Sequence, residues 1–131
     1  MNLRAVLWLM FACYVAVLLT LTHLPRPPSV FEGVSDKKLH VAAYFTLGGL
    51  VFAAMALTFP KVRGLASLTI FSGGLFGIID ESTQPLFGRT ADVHDWAADM
   101  LGLLTAVWLL ALIRRAIARA ASAKTPREAA N

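Results

Sequence analysis

The chain has 131 residues, of which 57% are hydrophobic, and a mean hydropathy of +0.65. Soluble domains are about 45–50% apolar, so this composition excludes an ordinary water-soluble enzyme and leaves room for one small membrane domain. The net charge of +4 calls for no nucleic-acid partner, because the basic residues flank hydrophobic stretches, where they set topology.

The first hydrophobic stretch covers residues 5–22, close to the roughly 20 residues that cross a bilayer. It reads as a retained helix rather than a signal peptide. Its apolar run exceeds the usual signal core, and no small-x-small cleavage site precedes His23. Cys13 is the single cysteine, which excludes an internal disulfide framework. With bulky Phe11 just before it, Cys13 reads as an ordinary helix thiol rather than a lipid attachment site. Pro25, Pro27 and Pro28 then end the helix, since proline lacks the N–H that a helix interior requires.

The second stretch covers residues 39–59, with Ser35 as the expected N-cap and Asp36 in an acidic first turn. A turn at 60–64 leads to the third stretch, 65–79. Its length is about 23 Å, short of the roughly 30 Å hydrocarbon core. If the helix continues to Gln84, Asp80 and Glu81 lie inside the apolar layer. Residues 85–88 break it, and the fourth stretch covers 96–113, with Asp99 one turn inside its start. The expected fold is an all-α integral membrane bundle of four transmembrane helices with short loops. It forms one domain over residues 1–123, followed by a basic tail over 124–131 expected to be disordered.

Charge sets the orientation. Arg4, Lys61, Arg63, Arg114, Arg115, Arg119, Lys124 and Arg127 fall on one side; Arg26, Lys37, Lys38 and Arg89 fall on the other. The positive-inside rule then places both termini in the cytoplasm, in a multi-pass protein of the cytoplasmic (inner) membrane. The opposite side collects Glu32, Asp36, Asp80, Glu81, Asp92, Asp95 and Asp99.

Ionisable groups within a bilayer are costly, roughly 2.5–3.5 kcal/mol each at a helix centre on insertion scales, and they mark function or pairing. Asp36, His40 and Tyr44 share one face of the second helix, with Lys37 beside them. Asp80 and Gln84 share a face of the third, with Glu81 about 100° away. Asp95 and Asp99 share a face of the fourth, and Arg89 lies in the connection before it. Three helix ends thus present these ten residues at about one depth, and cost argues that they turn inward. There the acids can pair with Arg89, Lys37 or His40 and bond Tyr44 and Gln84. Close packing is expected along Gly73 and Gly77, and along Ala98, Gly102 and Ala106.

The ordered set Asp36-Lys37-Lys38-Leu39-His40-Val41-Ala42-Ala43-Tyr44, then Asp80-Glu81-Ser82-Thr83-Gln84, then Gly88-Arg89 and Asp95, resembles the VanZ-like membrane proteins. Their pattern is DK-x-x-H-x-x-x-Y, DE-x-x-Q, an R with a following D, and a later N-x-x-G. The match covers about residues 34–112, and Asp99 stands where the family commonly has Asn. The resemblance implies a cell-envelope setting and a link to resistance against the glycopeptide teicoplanin, without an established reaction. Whether the chain is an enzyme therefore stays open.

The expected function is an outward-facing polar site that binds or processes an envelope component, with membrane lipid or an anionic lipid-linked phosphate or sugar as partner. Arg89 and Lys37 would hold the anion; Asp80, Glu81 or His40 would act as acid or base. No cofactor is required by any motif, and a hard divalent cation at the acidic cluster is an alternative ligand. The competing reading is a non-enzymatic scaffold in which the cluster is a structural ion-pair plug.

Overall fold

A computed structural model describes residues 2–26 and 28–128, with side chains as far as residue 122. The described residues form four α-helices and no strands: α1 (Leu3–Thr22), α2 (Asp36–Thr58), α3 (Leu65–Thr83) and α4 (Val93–Glu128). Short 3₁₀ turns at Ser29–Phe31 and Gln84–Phe87 lead into α2 and out of α3. The tail expected to be disordered over 124–131 is helical in its backbone through Glu128, and residues 129–131 lie outside the described residues.

α1, α2 and α4 are long and apolar enough to cross a membrane. α3 carries Asp80 and Glu81 in its last turn, which shortens its apolar part. Large apolar side chains such as Phe71, Trp108 and Ile117 are exposed, whereas Asp80 and Asp99 are 0% exposed. An apolar exterior around a polar interior suits a protein whose surroundings are lipid.

Helices consecutive in the chain run antiparallel, so α2 and α4 run parallel. Trp8 near the start of α1 donates its indole N–H to Thr58 Oγ1 at the end of α2 (3.0 Å). At the same pole, the Arg114 guanidinium donates to the Pro60 carbonyl in the α2–α3 turn (2.5 Å). The ends of α1 and α3 and the starts of α2 and α4 therefore share the other pole.

α2 and α4 form the most extensive contact, and α3 packs mainly on α4. The small-residue seams explain the closeness. A Cβ added at Gly102 would strike the Val41 carbonyl oxygen and come within 2.8 Å of the Phe45 nitrogen, so only glycine lets these backbones touch. Leu103, fully buried, wedges between Gly48 of α2 and Gly73 of α3. Trp96 donates its indole N–H to the Gly74 carbonyl (3.1 Å), which ties the start of α4 to the middle of α3.

Ser35 holds the extended backbone of an N-cap, but its side chain makes no capping bond, contrary to expectation. Side-chain caps form instead at Asn2, whose Oδ1 accepts the Ala5 N–H at 2.9 Å, and at Asp92, whose Oδ1 accepts the His94 N–H at 2.8 Å.

Candidate functional site

The site lies at the pole where four helix ends meet, and its parts are set by local structure. Gly88 adopts φ +78, and Arg89 N–H returns to the Gln84 carbonyl (3.3 Å). This tight reversal carries Arg89 back over the start of α2. Asp36, Lys37, His40 and Tyr44 follow one another along the first turns of α2, as the i, i+4 spacing requires.

The centre of the site is buried. His40 Nδ1 lies 2.8 Å from Asp99 Oδ1 and 3.9 Å from Glu81 Oε1. Glu81 Oε1 accepts from the Gln84 amide at 2.8 Å, and its Oε2 accepts the Asp92 backbone N–H at 3.1 Å. Among the described residues, Asp99 Oδ2 is the one buried side-chain polar atom without a partner. Such an atom is costly to leave unmade, by about 1–3 kcal/mol or more for a charged group.

Beside this centre Asp80 forms a second knot. Its Oδ1 accepts from the Thr22 hydroxyl (2.8 Å) and its Oδ2 from the Tyr44 hydroxyl (3.3 Å). His23 Nδ1 stands 3.6 Å from Asp80 Oδ1, and His23 Nε2 is 2.9 Å from Thr83 Oγ1. The His23 ring meets Phe87 edge to face. The end of α1 therefore joins the site, although the pattern of acids pointed only to α2, α3 and α4. The signal available was Thr22-His23 at the close of the first apolar run, a pair that resembles ordinary interface polarity.

The rim holds the cations. Lys37 Nζ bonds Asp95 Oδ1 at 2.8 Å and Asp92 Oδ2 at 3.3 Å. Arg89 pairs with Asp36 at 3.3 Å. Acids do pair with Arg89, Lys37 and His40, but Arg89 is held at the rim by Asp36 rather than by Asp80 or Glu81, and Lys37 by Asp92 and Asp95. Asp80, Glu81 and Asp99 rely on His40, Gln84, Tyr44 and α1 instead. Asp92 lies before the start of α4, where the His94 backbone and side chain, and then Lys37, hold its carboxyl down to about 2. His94 itself is exposed, and among the described residues its ring is bound only to Asp92, at 2.8 Å.

All ten sequence-predicted residues consequently lie at this pole. His40, Tyr44, Asp80, Glu81, Gln84, Asp95 and Asp99 are buried; Asp36 and Lys37 are exposed and Arg89 is half-buried. His40, Glu81 and Asp99 each bring a ligand atom within 4.8 Å of the others, and so do Asp36, His40 and Asp95. Both groups could hold a metal ion. Beside them, a cleft of 280 Å³ runs between α1 and α2, with walls of Val17, Leu18, Leu21, Leu39 and Ala43. Its polar end is formed by Thr22, Asp36, His40 and Arg89.

Neither a family model, a curated protein nor a solved structure matches the chain.

Proposed function

We propose that this is a VanZ-like, four-span protein of the cytoplasmic membrane with both termini inside, whose polar pole faces outward and receives an anionic lipid-linked envelope precursor. The single observation that carries this reading is the cleft between α1 and α2. Its apolar wall extends from Asp36 to Thr46 along α2, about 15 Å at the helical rise. It ends at the Arg89 guanidinium, the His40 imidazole and the Thr22 hydroxyl, with the Asp36 carboxylate paired to Arg89. That is the division of an amphiphile: a hydrocarbon chain against Val17, Leu18 and Ala43, and a phosphate or sugar against Arg89, His40 and Thr22. Arg89 suits an anion because its planar fork offers several donors, of which Asp36 engages one nitrogen. Processing, where it occurs, would draw on the His40–Asp99 pair as acid and base.

The test is binding of polyprenyl phosphate to the purified full chain in detergent, followed by native mass spectrometry. The wild type should bind one lipid. Arg89→Gln should weaken binding at least about tenfold, since hydrogen bonds to charged groups contribute about 1.5–3 kcal/mol. Ala43→Trp should abolish binding by filling the cleft. Equal binding by all three proteins would overturn the reading.

A second reading has its own support. Both rim cations are already paired, and every buried side-chain polar atom but Asp99 Oδ2 has a partner among the described residues. A plug that fixes four helix ends in register would look this way. Glu81→Gln and Arg89→Gln separate the two, measured for thermal stability and for glycopeptide susceptibility of cells expressing them. A scaffold loses stability in both variants. A binding site keeps stability and loses the phenotype.

A further inference from the structure

The buried centre gathers three carboxyl groups, and one of their oxygens has no partner among the described residues. Asp80, Glu81 and Asp99 are all buried, and the two rim cations are committed to Asp36, Asp92 and Asp95. Asp80 has its own donors in Thr22 and Tyr44. Glu81 and Asp99 share one imidazole, and Asp99 Oδ2 has nothing. That orphan oxygen belongs to the same fully buried carboxylate whose Oδ1 touches His40.

We propose that His40, Glu81 and Asp99 form a binding site for one divalent transition-metal ion of the zinc or manganese type. The donor set decides the class. One imidazole nitrogen with two carboxylate oxygens suits borderline divalent ions, whereas calcium and magnesium prefer oxygen alone. The spacing is close to what an ion needs: His40 Nδ1 lies 2.8 Å from Asp99 Oδ1 and 3.9 Å from Glu81 Oε1, and small side-chain shifts would bring all three ligand atoms to about 2.0–2.2 Å from a common ion. The ion replaces the proton between His40 Nδ1 and Asp99, and it satisfies the orphan carboxylate. Two outer partners are in place: Gln84 and the Asp92 backbone N–H hold Glu81 from opposite oxygens. The alternative group of Asp36, His40 and Asp95 is the poorer choice, because Arg89 and Lys37 already neutralise its carboxylates. Three protein ligands leave coordination positions for water or an added oxygen. The site stands whether or not a lipid occupies the neighbouring cleft, and an ion bound there takes the place of any acid–base use of the His40–Asp99 pair.

The test uses the full chain in detergent, stripped with chelator and dialysed. Titration with zinc chloride in a calorimeter should show one equivalent bound and a raised melting temperature. Cobalt substitution should give visible absorption bands from nitrogen and oxygen ligation. Asp99→Asn and Glu81→Gln should lose stoichiometric binding, while Asp36→Asn and His94→Ala retain it. Gln84→Leu should weaken binding about 10- to 100-fold, the range for removing a partner that orients a ligand. If a ligand variant fails to fold, the wild-type cobalt spectrum and melting shift decide. Overturning results are a folded wild type that binds no zinc or cobalt, or binding lost in Asp36→Asn or His94→Ala but kept in Asp99→Asn.

Discussion

The α2–α4 contact positions the site, and Gly102 sets its closeness. A methyl group at Gly102 would lie 2.8 Å from the Phe45 nitrogen and closer still to the Val41 carbonyl oxygen. Both obstacles are backbone and cannot swing away. Ordinary contact begins near 3.4 Å, so Gly102→Ala must part the helices by at least about 0.6 Å. His40 precedes Val41, and Asp99 lies one turn before Gly102, so their 2.8 Å contact crosses the same interface. The parting stretches it past the usual hydrogen-bond range of about 3.2 Å. Overpacking costs about 1–3 kcal/mol and a lost charged bond about 1.5–3, against about 1 gained from alanine's helix propensity. The expected net loss is about 1.5–5 kcal/mol. Unfolding of the purified chain in mixed micelles measures it. Gly49→Ala is the control, because its nearest neighbour, Leu110 Cδ1, is 4.0 Å away. That variant should match the wild type or exceed it by up to about 1 kcal/mol. A Gly102→Ala protein as stable as the wild type would refute this account of the packing.

Other expectations follow from the same network. Thr22→Val removes the 2.8 Å donor to Asp80 and should cost about 1.5–3 kcal/mol, with Tyr44→Phe nearer the low end because its bond is 3.3 Å. The double variant should depart from additivity, since both donors serve one carboxylate; a purely additive cycle would show that Asp80 is held otherwise. The Asp92 carboxyl, held down to about 2 in the folded chain against an ordinary 3.8, stabilises α4 fully above 3.8 and loses that contribution as pH falls through about 2. Melting curves of the wild type should therefore decline across this acid window, and those of Asp92→Asn should decline less; identical profiles would count against the cap. Thr83→Ala removes the 2.9 Å contact to His23 Nε2 and should loosen the end of α1, read as faster amide exchange there.

Much of this architecture could be read from residues because membrane burial makes polar groups conspicuous. Seven acids gathered at one pole of an apolar chain announce a shared depth, and the glycine and alanine seams announce close helices. Lateral pairing is another matter. Whether Arg89 meets Asp36 or Glu81 depends on the Gly88 reversal and on how far α2 projects, neither of which spacing encodes. α2 begins at Asp36, as the Ser35 N-cap reading expected, three residues ahead of the apolar stretch. α4 continues well past residue 113 because its Ala- and Arg-rich segment favours helix without being apolar. Thr22 and His23 were hidden for a simpler reason. Threonine and histidine at a helix end carry no obvious cost, and only the packing of α1 shows that they serve Asp80.

The proposed amphiphile enters between α1 and α2 with its head group at Arg89 and His40. Photo-crosslinking tests it most directly, using a polyprenyl phosphate with a diazirine in its chain, the full-length protein in bilayer discs, and peptide mapping of the adducts. Adducts concentrated on Val17, Leu21, Ala42 and Thr46, and lost in Ala43→Trp, are the predicted result. Adducts spread evenly over exposed positions such as Phe71 and Trp108, and unchanged in Ala43→Trp, would contradict it.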